Sequence, residues 1–203
     1  AIESGFQHMT IEWARAVLAH PGANARTFDE STEMPIWDAV PLCPGLICVK
    51  RDFRWYEVLS RKMLTLLREV SPAVEWYSID EMFFDATTLT DEFRLPLPQA
   101  TAALQQRILR EIGVPVSIGV TPSKCLSKLA SDSRKPFGCT VLLDAGEITS
   151  FLADLDVAEL WGIGARSAAK LHAAGIRTCQ EFVEAPRSLI LQLLTVKGEG
   201  IWW

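Results

Sequence analysis

Asp80 and Glu81 stand side by side in the most strand-like run of this chain, with Val74, Trp76, Tyr77 and Ile79 ahead of them and Met82, Phe83 and Phe84 behind. These are residue types that favour extended backbone. A strand with one buried face alternates polar and apolar side chains, so two consecutive carboxylates bring charge where burial is costly unless a cation compensates. A hard divalent ion such as Mg2+ takes carboxylate oxygens and needs few ligands from the protein itself. The stretch from Tyr77 to Asp85 therefore reads as a strand carrying a Mg2+ site for phosphoryl transfer. A hairpin corner with two solvated acids is the alternative reading.

Farther on, Val114-Pro115-Val116-Ser117-Ile118-Gly119-Val120-Thr121 reads as a short buried strand, and Pro122-Ser123-Lys124 opens a helix with Thr121 or Ser123 as N-cap. Lys124, Lys128 and Lys135 follow at spacings of four and seven, which places the first two on one helix face and the third nearly on it. Arg134 adjoins the third. A cationic stripe beside an acidic metal site suits a polyanion, with metal on one side of its phosphates and lysines on the other. The plain alternative is a solvated face of an amphipathic helix whose apolar side is Leu126, Leu129 and Ala130.

In a third stretch, Gly162-Ile163-Gly164 precedes a helix containing Arg166, Lys170 and Leu171; Gly175 then stops that helix, and Ile176-Arg177-Thr178 leads into another. Small residues that expose backbone N–H groups at a helix start can hold a phosphate without reading sequence. Gly-x-Gly alone also serves ordinary tight turns, and the remainder of a dinucleotide fingerprint is missing. The fuller pattern resembles a helix-hairpin-helix DNA-binding element.

These three motifs, in this order, resemble those of the Y-family translesion DNA polymerases, the UmuC and DinB-like proteins. Upstream, Met34-Pro35-Ile36-Trp37-Asp38-Ala39 and Leu42-Cys43-Pro44-Gly45-Leu46 resemble the end of the family's fingers, and Tyr56 to Ser71 its following palm helix. The resemblance implies an α+β palm with helices on one face of a mixed or antiparallel sheet, followed by a small all-α helix-hairpin-helix thumb. It implies that Asp80 ligates both catalytic Mg2+ ions and Glu81 the one that activates a primer 3′-hydroxyl. Lys135 would contact the incoming nucleotide's triphosphate, and Lys124 and Lys128 would lie near phosphates. Gly162, Ile163 and Gly164 would grip DNA, with Arg166 or Lys170 beside them. The implied partners are a DNA primer-template, a dNTP and a sliding clamp reached through a C-terminal region, in a role in damage tolerance.

Two departures stand against that pattern. No Asp-x-Asn-x-Phe-Tyr-Ala motif supplies the family's first metal aspartate, and residues 1–33 lack its Tyr-Glu-Ala-Arg-like fingers stretch. Asp29-Glu30 lies in a polar run and is no substitute. Truncation at both ends, with loss of the C-terminal DNA-gripping domain, accounts for this; a homologue without catalysis, kept for damaged-DNA or protein binding, is the alternative. The organisation expected is an unmatched segment over 1–33, a fingers remnant over 34–50, a palm over 51–145 and a thumb over 146–203.

Composition narrows the classes further. The 203 residues suffice for one mid-sized domain or two small ones, and a hydrophobic content of 49% supports a real core. A net charge of −5 argues against DNA binding by the whole surface, although Lys124, Lys128, Arg134, Lys135, Arg166, Lys170 and Arg177 gather in the latter half. Five scattered cysteines and three histidines, His8, His20 and His172, form no metal-ligand pattern. With no apolar run of membrane-spanning length and no leader-like start, the sequence points to a reducing cytoplasm. Periodicity predicts helices over 11–19, 35–42, 53–70 and 98–112, strands over 46–50, 114–120 and 140–143, and a domain boundary near Asp144-Ala145-Gly146.

Overall fold

The computed structural model describes the backbone of residues 2–4, 41 and 52–202, and side chains of 41 and 52–194. Apart from residue 41, the helices expected over 11–19 and 35–42, the strand over 46–50 and the fingers remnant lie outside the described residues, as does most of segment 1–33. Residues 1–5 and 56–203 form one compact unit and residues 6–55 another; the first carries the motifs.

Helix α1 (Phe53–Val70) places Met63, Leu66, Leu67 and Val70 at spacings of three and four, and all four are buried. That is the helical stripe the periodicity predicts. Strands β2 (Val74–Trp76) and β3 (Glu81–Phe84) pair antiparallel with Val74 opposite Phe84 and Trp76 opposite Met82. Helices α2 (Leu89–Phe93) and α3 (Leu97–Ile112) follow, and α3 stops at Gly113, whose φ of 82° is the left-handed value that suits glycine. Strand β4 (Val116–Val120), helix α4 (Lys124–Asp132) and strand β5 (Cys139–Val141) complete the layer.

The strand order is β2-β3-β1-β4-β5, where β1 is Ile2–Ser4. No strand signal marked β1, because three residues are too few to show alternation. It nevertheless runs antiparallel to both β3 and β4, with Glu3 opposite Glu81 and Ser117. β4 pairs with β5 in parallel, so the sheet is mixed. All five residues of β4 are buried, since α3 and α4 both pack against it.

Gly119 is what lets α4 lie so close. A Cβ there would fall 2.1 Å from the Ser127 carbonyl oxygen and 2.7 Å from the Ser131 nitrogen. Ser123 caps α4 by accepting from the Leu126 N–H, while Thr121 Oγ1 donates to the Ser123 carbonyl. Both candidate caps thus contribute, in different roles.

Asp144 caps helix α5 (Ala145–Ala153) by accepting from the Gly146 and Glu147 N–H groups. Beyond lie a 3-10 turn (Val157–Glu159), α6 (Ala165–Ala173), α7 (Cys179–Glu184) and α8 (Arg187–Trp202). Val157, Leu171, Cys179, Phe182 and Ile190 are almost completely buried and share one core with Leu129 of α4, against which Leu126 also packs. Fully buried side chains of this size contribute roughly 1.5–3 kcal/mol each. The lysine helix is therefore common to the sheet layer and the helical remainder: Gly119 admits its backbone to the sheet, and its leucines enter the helical core.

Candidate functional site

The two carboxylates do not lie inside one strand. Asp80 ends the turn between β2 and β3, and Glu81 is the first residue of β3. The pair therefore does not bury two charges inside a strand: Asp80 sits in a bend, half-buried. Ser78 organises that bend. Its hydroxyl donates to Asp80 Oδ1 at 2.7 Å and accepts from the Glu81 N–H at 3.1 Å. The Tyr77 and Ser78 N–H groups both donate to the Glu81 carbonyl, at 3.1 and 3.0 Å. A hydroxyl that bonds to a neighbouring carboxylate and backbone in this way fixes a tight turn.

Three lysines of the sequence motif come to the same region, each bound to a carboxylate. Lys128 Nζ lies 2.5 Å from Glu81 Oε1 and 3.6 Å from Asp132 Oδ2. Lys135 Nζ lies 2.8 Å from Asp132 Oδ1. Lys124 pairs with Glu75 and sits 5.7 Å from the centre of the Phe83 ring. Glu81 and Phe83 share a face of β3 by alternation, and Glu75 stands opposite Phe83 in register. The helix thus lays positive charge over the face that carries Glu75, Glu81 and Phe83. The side chains of Lys128 and Glu81 are only 15% and 19% exposed, so this pair is shielded and its attraction is stronger than that of surface pairs. The loop bearing Lys135 is anchored from β4, where Ser117 Oγ accepts from the Phe137 and Gly138 N–H groups at 3.0 and 3.1 Å.

The glycine turn divides its labour. Gly162 has φ 94°, a left-handed value that costs other residues free energy, whereas Gly164 has φ −80° and ψ 170°. The positive-φ position of the turn is therefore Gly162, not Gly164. A Cβ at Gly164 would meet nothing within 4 Å, so that side of the turn is open. Gly164 is the N-cap of α6 and brings no side-chain cap to it. Ile163 is buried in the helical core, so only its backbone can face a ligand. Arg166 is exposed in the first turn of α6. Lys170, also exposed, donates to the Leu193 carbonyl at 3.3 Å and so reaches toward α8.

The surrounding turns are tied by side-chain hydrogen bonds. Thr178 and Glu181 form a capping box, and Glu181 accepts from the Thr178 and Arg177 N–H groups at 2.9 and 2.6 Å, which holds its carboxyl below the ordinary carboxylate range. His172 Nε2 lies 3.1 Å from Asp156 Oδ1, joining α6 to the 3-10 turn in a structural role. Burial pushes the thiols of Cys139 and Cys179 up to about 11 and about 12, so both are poor nucleophiles. Among the described residues no three His, Cys, Asp or Glu side chains group as a metal site, and no helix is long and apolar enough to cross a membrane.

A mixed sheet packed by helices, followed by an all-helical region with a helix-hairpin-helix turn, has the architecture of a DinB-like polymerase fold. The matches to known proteins agree. Residues 8–132 match the impB/mucB/samB family and residues 145–176 match the IMS family HHH motif. The chain belongs to the impB/mucB/samB family, the UmuC and DinB-like Y family of polymerases. It is 39% identical over 191 residues to DNA polymerase IV of Oceanobacillus iheyensis, covering 94% of this chain and 45% of that protein. For DNA polymerase IV 1 of Bacillus subtilis the figures are 37% over 188 residues, 93% and 45%. The crystal structure of DinB from Sulfolobus solfataricus superposes with a TM-score of 0.70 at 26% identity, covering 94% of this chain and 52% of that one. An insertion ternary complex of Dbh DNA polymerase shares the fold, with a TM-score of 0.76 at 23% identity, covering 98% and 64%. The chain spans about half the length of the curated relatives it matches.

Reading the sequence for chemistry missed Ser78, whose neighbours drew attention through their charge. A Ser hydroxyl that bonds backbone two residues on, as Ser78 does with the Asp80 N–H, is a local turn signal that sequence can carry. It missed Asp132 as well, which bridges Lys128 and Lys135 and is visible in sequence as an i,i+4 partner of Lys128.

Proposed function

We propose that this chain is a fingers remnant, the palm and the thumb of a DNA-directed DNA polymerase of the lesion-bypass kind. The reaction is nucleotidyl transfer from a dNTP to a primer 3′-oxygen. The observation that carries this reading is the Ser78-braced Asp80 beside Glu81, set under a lysine helix in a chain of this family. Residues 34–50 belong to the fingers, 51–145 to the palm and 146–203 to the thumb.

The donor set fits Mg2+ in kind, being hard carboxylate oxygen, and two side chains are few enough to leave places for substrate phosphate and water. Asp80 and Glu81 would hold it, and when bound it would offset charge on the reacting phosphate and favour ionisation of the primer hydroxyl. Ser78 orients Asp80 for that task. Lys128 balances Glu81 until phosphate or metal competes for it. Lys135, on its anchored loop, serves the triphosphate, and Lys124 lies near the nucleic-acid backbone. The backbone of Gly162, Ile163 and Gly164, flanked by Arg166 and Lys170, holds a DNA phosphate without reading a base. Damage tolerance in the cytoplasm, with a sliding clamp as partner, is the matching cellular role.

One observation favours a second reading, a DNA-binding homologue without catalysis: among the described residues no third His, Cys, Asp or Glu joins Asp80 and Glu81 as a metal-binding group. NMR on the folded chain separates the two. Mn2+ is expected to broaden resonances of residues 77–84 in the parent chain and to leave them sharp in Asp80→Asn. Broadening confined to the acidic segment 147–159 would refute the metal assignment and leave the DNA-binding reading standing.

A further inference from the structure

We infer that Trp161 is a positioning residue that docks the Gly162-Ile163-Gly164 turn onto the carboxylate hairpin, fixing where a gripped DNA phosphate lies relative to Asp80 and Glu81. The inference rests on the reading of that turn as a DNA contact, and goes beyond it by naming what holds the turn in place.

Three rings form a closed cluster. Trp161 meets Tyr77 edge-on, with ring centres 5.1 Å apart and planes at 85°. It stacks on Phe83 at 5.8 Å and 29°. Tyr77 and Phe83 complete the triangle at 5.8 Å and 78°. Offset-stacked and edge-to-face pairs at these separations are favourable beyond the area they bury. The two partners are not incidental. Tyr77 donates its N–H to the Glu81 carbonyl, and Phe83 follows Glu81 by two residues on the same strand face. Trp161 therefore touches the two aromatic residues that bracket Asp80 and Glu81.

Trp161 stands outside the buried core that fills the helical region, whereas Ile163, two residues on, belongs to it. Gly162 lies between them with its left-handed backbone. The turn thus has one anchor in the sheet layer and one in the thumb. With both in place, Gly164 and the start of α6 hold a set position over the hairpin. With Trp161 removed, the thumb keeps its core but loses the aromatic link to the carboxylates.

The experiment uses the 203-residue chain with Trp161→Ala, Trp161→Phe and Tyr77→Leu. Amide hydrogen exchange without DNA is expected to speed up about tenfold at residues 162–166 in Trp161→Ala, within the range that loss of its two aromatic pairs produces. Protection of the capping-box helix α7 should be unchanged. Trp161→Phe should recover most of the lost protection, and Tyr77→Leu should reproduce part of the loss. Fluorescence anisotropy with a primer-template duplex should then show Trp161→Ala binding about fivefold more weakly than parent and Trp161→Phe. Unchanged exchange in Trp161→Ala overturns the docking, whatever DNA does. Faster exchange with unchanged DNA affinity overturns the positioning role. A parent chain that does not bind the duplex refutes the DNA reading of the turn, and the positioning role falls with it, while exchange still judges the docking alone.

Discussion

Ser78→Ala removes one oxygen that makes two good hydrogen bonds, to Asp80 Oδ1 at 2.7 Å and from the Glu81 N–H at 3.1 Å. A bond to an ionised carboxylate contributes roughly 1.5–3 kcal/mol and a neutral one about 0.5–1.5 kcal/mol. The site is half-buried, so water recovers part of both, and a net destabilisation of about 2 kcal/mol is expected. The consequence for metal is separate. An Asp80 carboxylate released from its bond samples several rotamers, and loss of such a supporting partner lowers metal affinity about 10- to 100-fold. Urea denaturation reads the first effect and Mn2+ titration the second. Ser78→Thr retains the hydroxyl and should stay close to parent in metal affinity. If Ser78→Ala leaves both the urea midpoint and the Mn2+ affinity unchanged, the hydroxyl does not hold the carboxylate and the account of the turn is wrong.

Gly119→Ala should cost more than about 2 kcal/mol, since the added carbon lands on α4 backbone 2.1 Å away; a near-parent urea midpoint would contradict that packing. Gly164→Ala should fold normally yet bind primer-template DNA more weakly, because the space it fills is open to ligand; circular dichroism and anisotropy read the two halves. Lys170→Ala should lower affinity equally on unrelated sequences and reduce the salt slope by about one, as expected for a single phosphate contact. It also removes the bond to the Leu193 carbonyl, so its melting temperature is read alongside. Acid should weaken the thumb through Glu181. Its folded-state pKa lies below the ordinary value of 4.5, so its contribution is present above that pH and is lost as pH falls through the depressed value. The gap in melting temperature between parent and Glu181→Gln should therefore close on acidification below about pH 4.5 and stay open at neutral pH.

Periodicity and end signals located the long elements well. Helix α1 shows its buried stripe in sequence, and α3, expected over 98–112, spans Leu97–Ile112. The same logic fails for β1. Ile2–Ser4 is held centrally by pairing on both sides, a tertiary cause that three residues cannot display. The lysines show a different limit. Their spacing reveals a shared helix face for Lys124 and Lys128, whereas Lys135 lies beyond the end of α4 at Asp132; that the two helix lysines would pair with Glu75, Glu81 and Asp132 depends on contacts 49, 47 and four residues distant in sequence. Only the last of these is local. Likewise Gly162 and Gly164 are indistinguishable as letters, and only the backbone angles assign strain to one and open space to the other.

The central claim is that Asp80 and Glu81 hold metal where a primer terminus arrives, and localised cleavage tests it in one measurement. Fe2+ takes the place of Mg2+ in the chain bound to an end-labelled primer-template, and ascorbate with peroxide generates hydroxyl radicals at the bound ion. The account predicts primer cutting concentrated near its 3′ end and abolished by Asp80→Asn. Uniform cutting along the duplex, or the same localised pattern in Asp80→Asn, would contradict it.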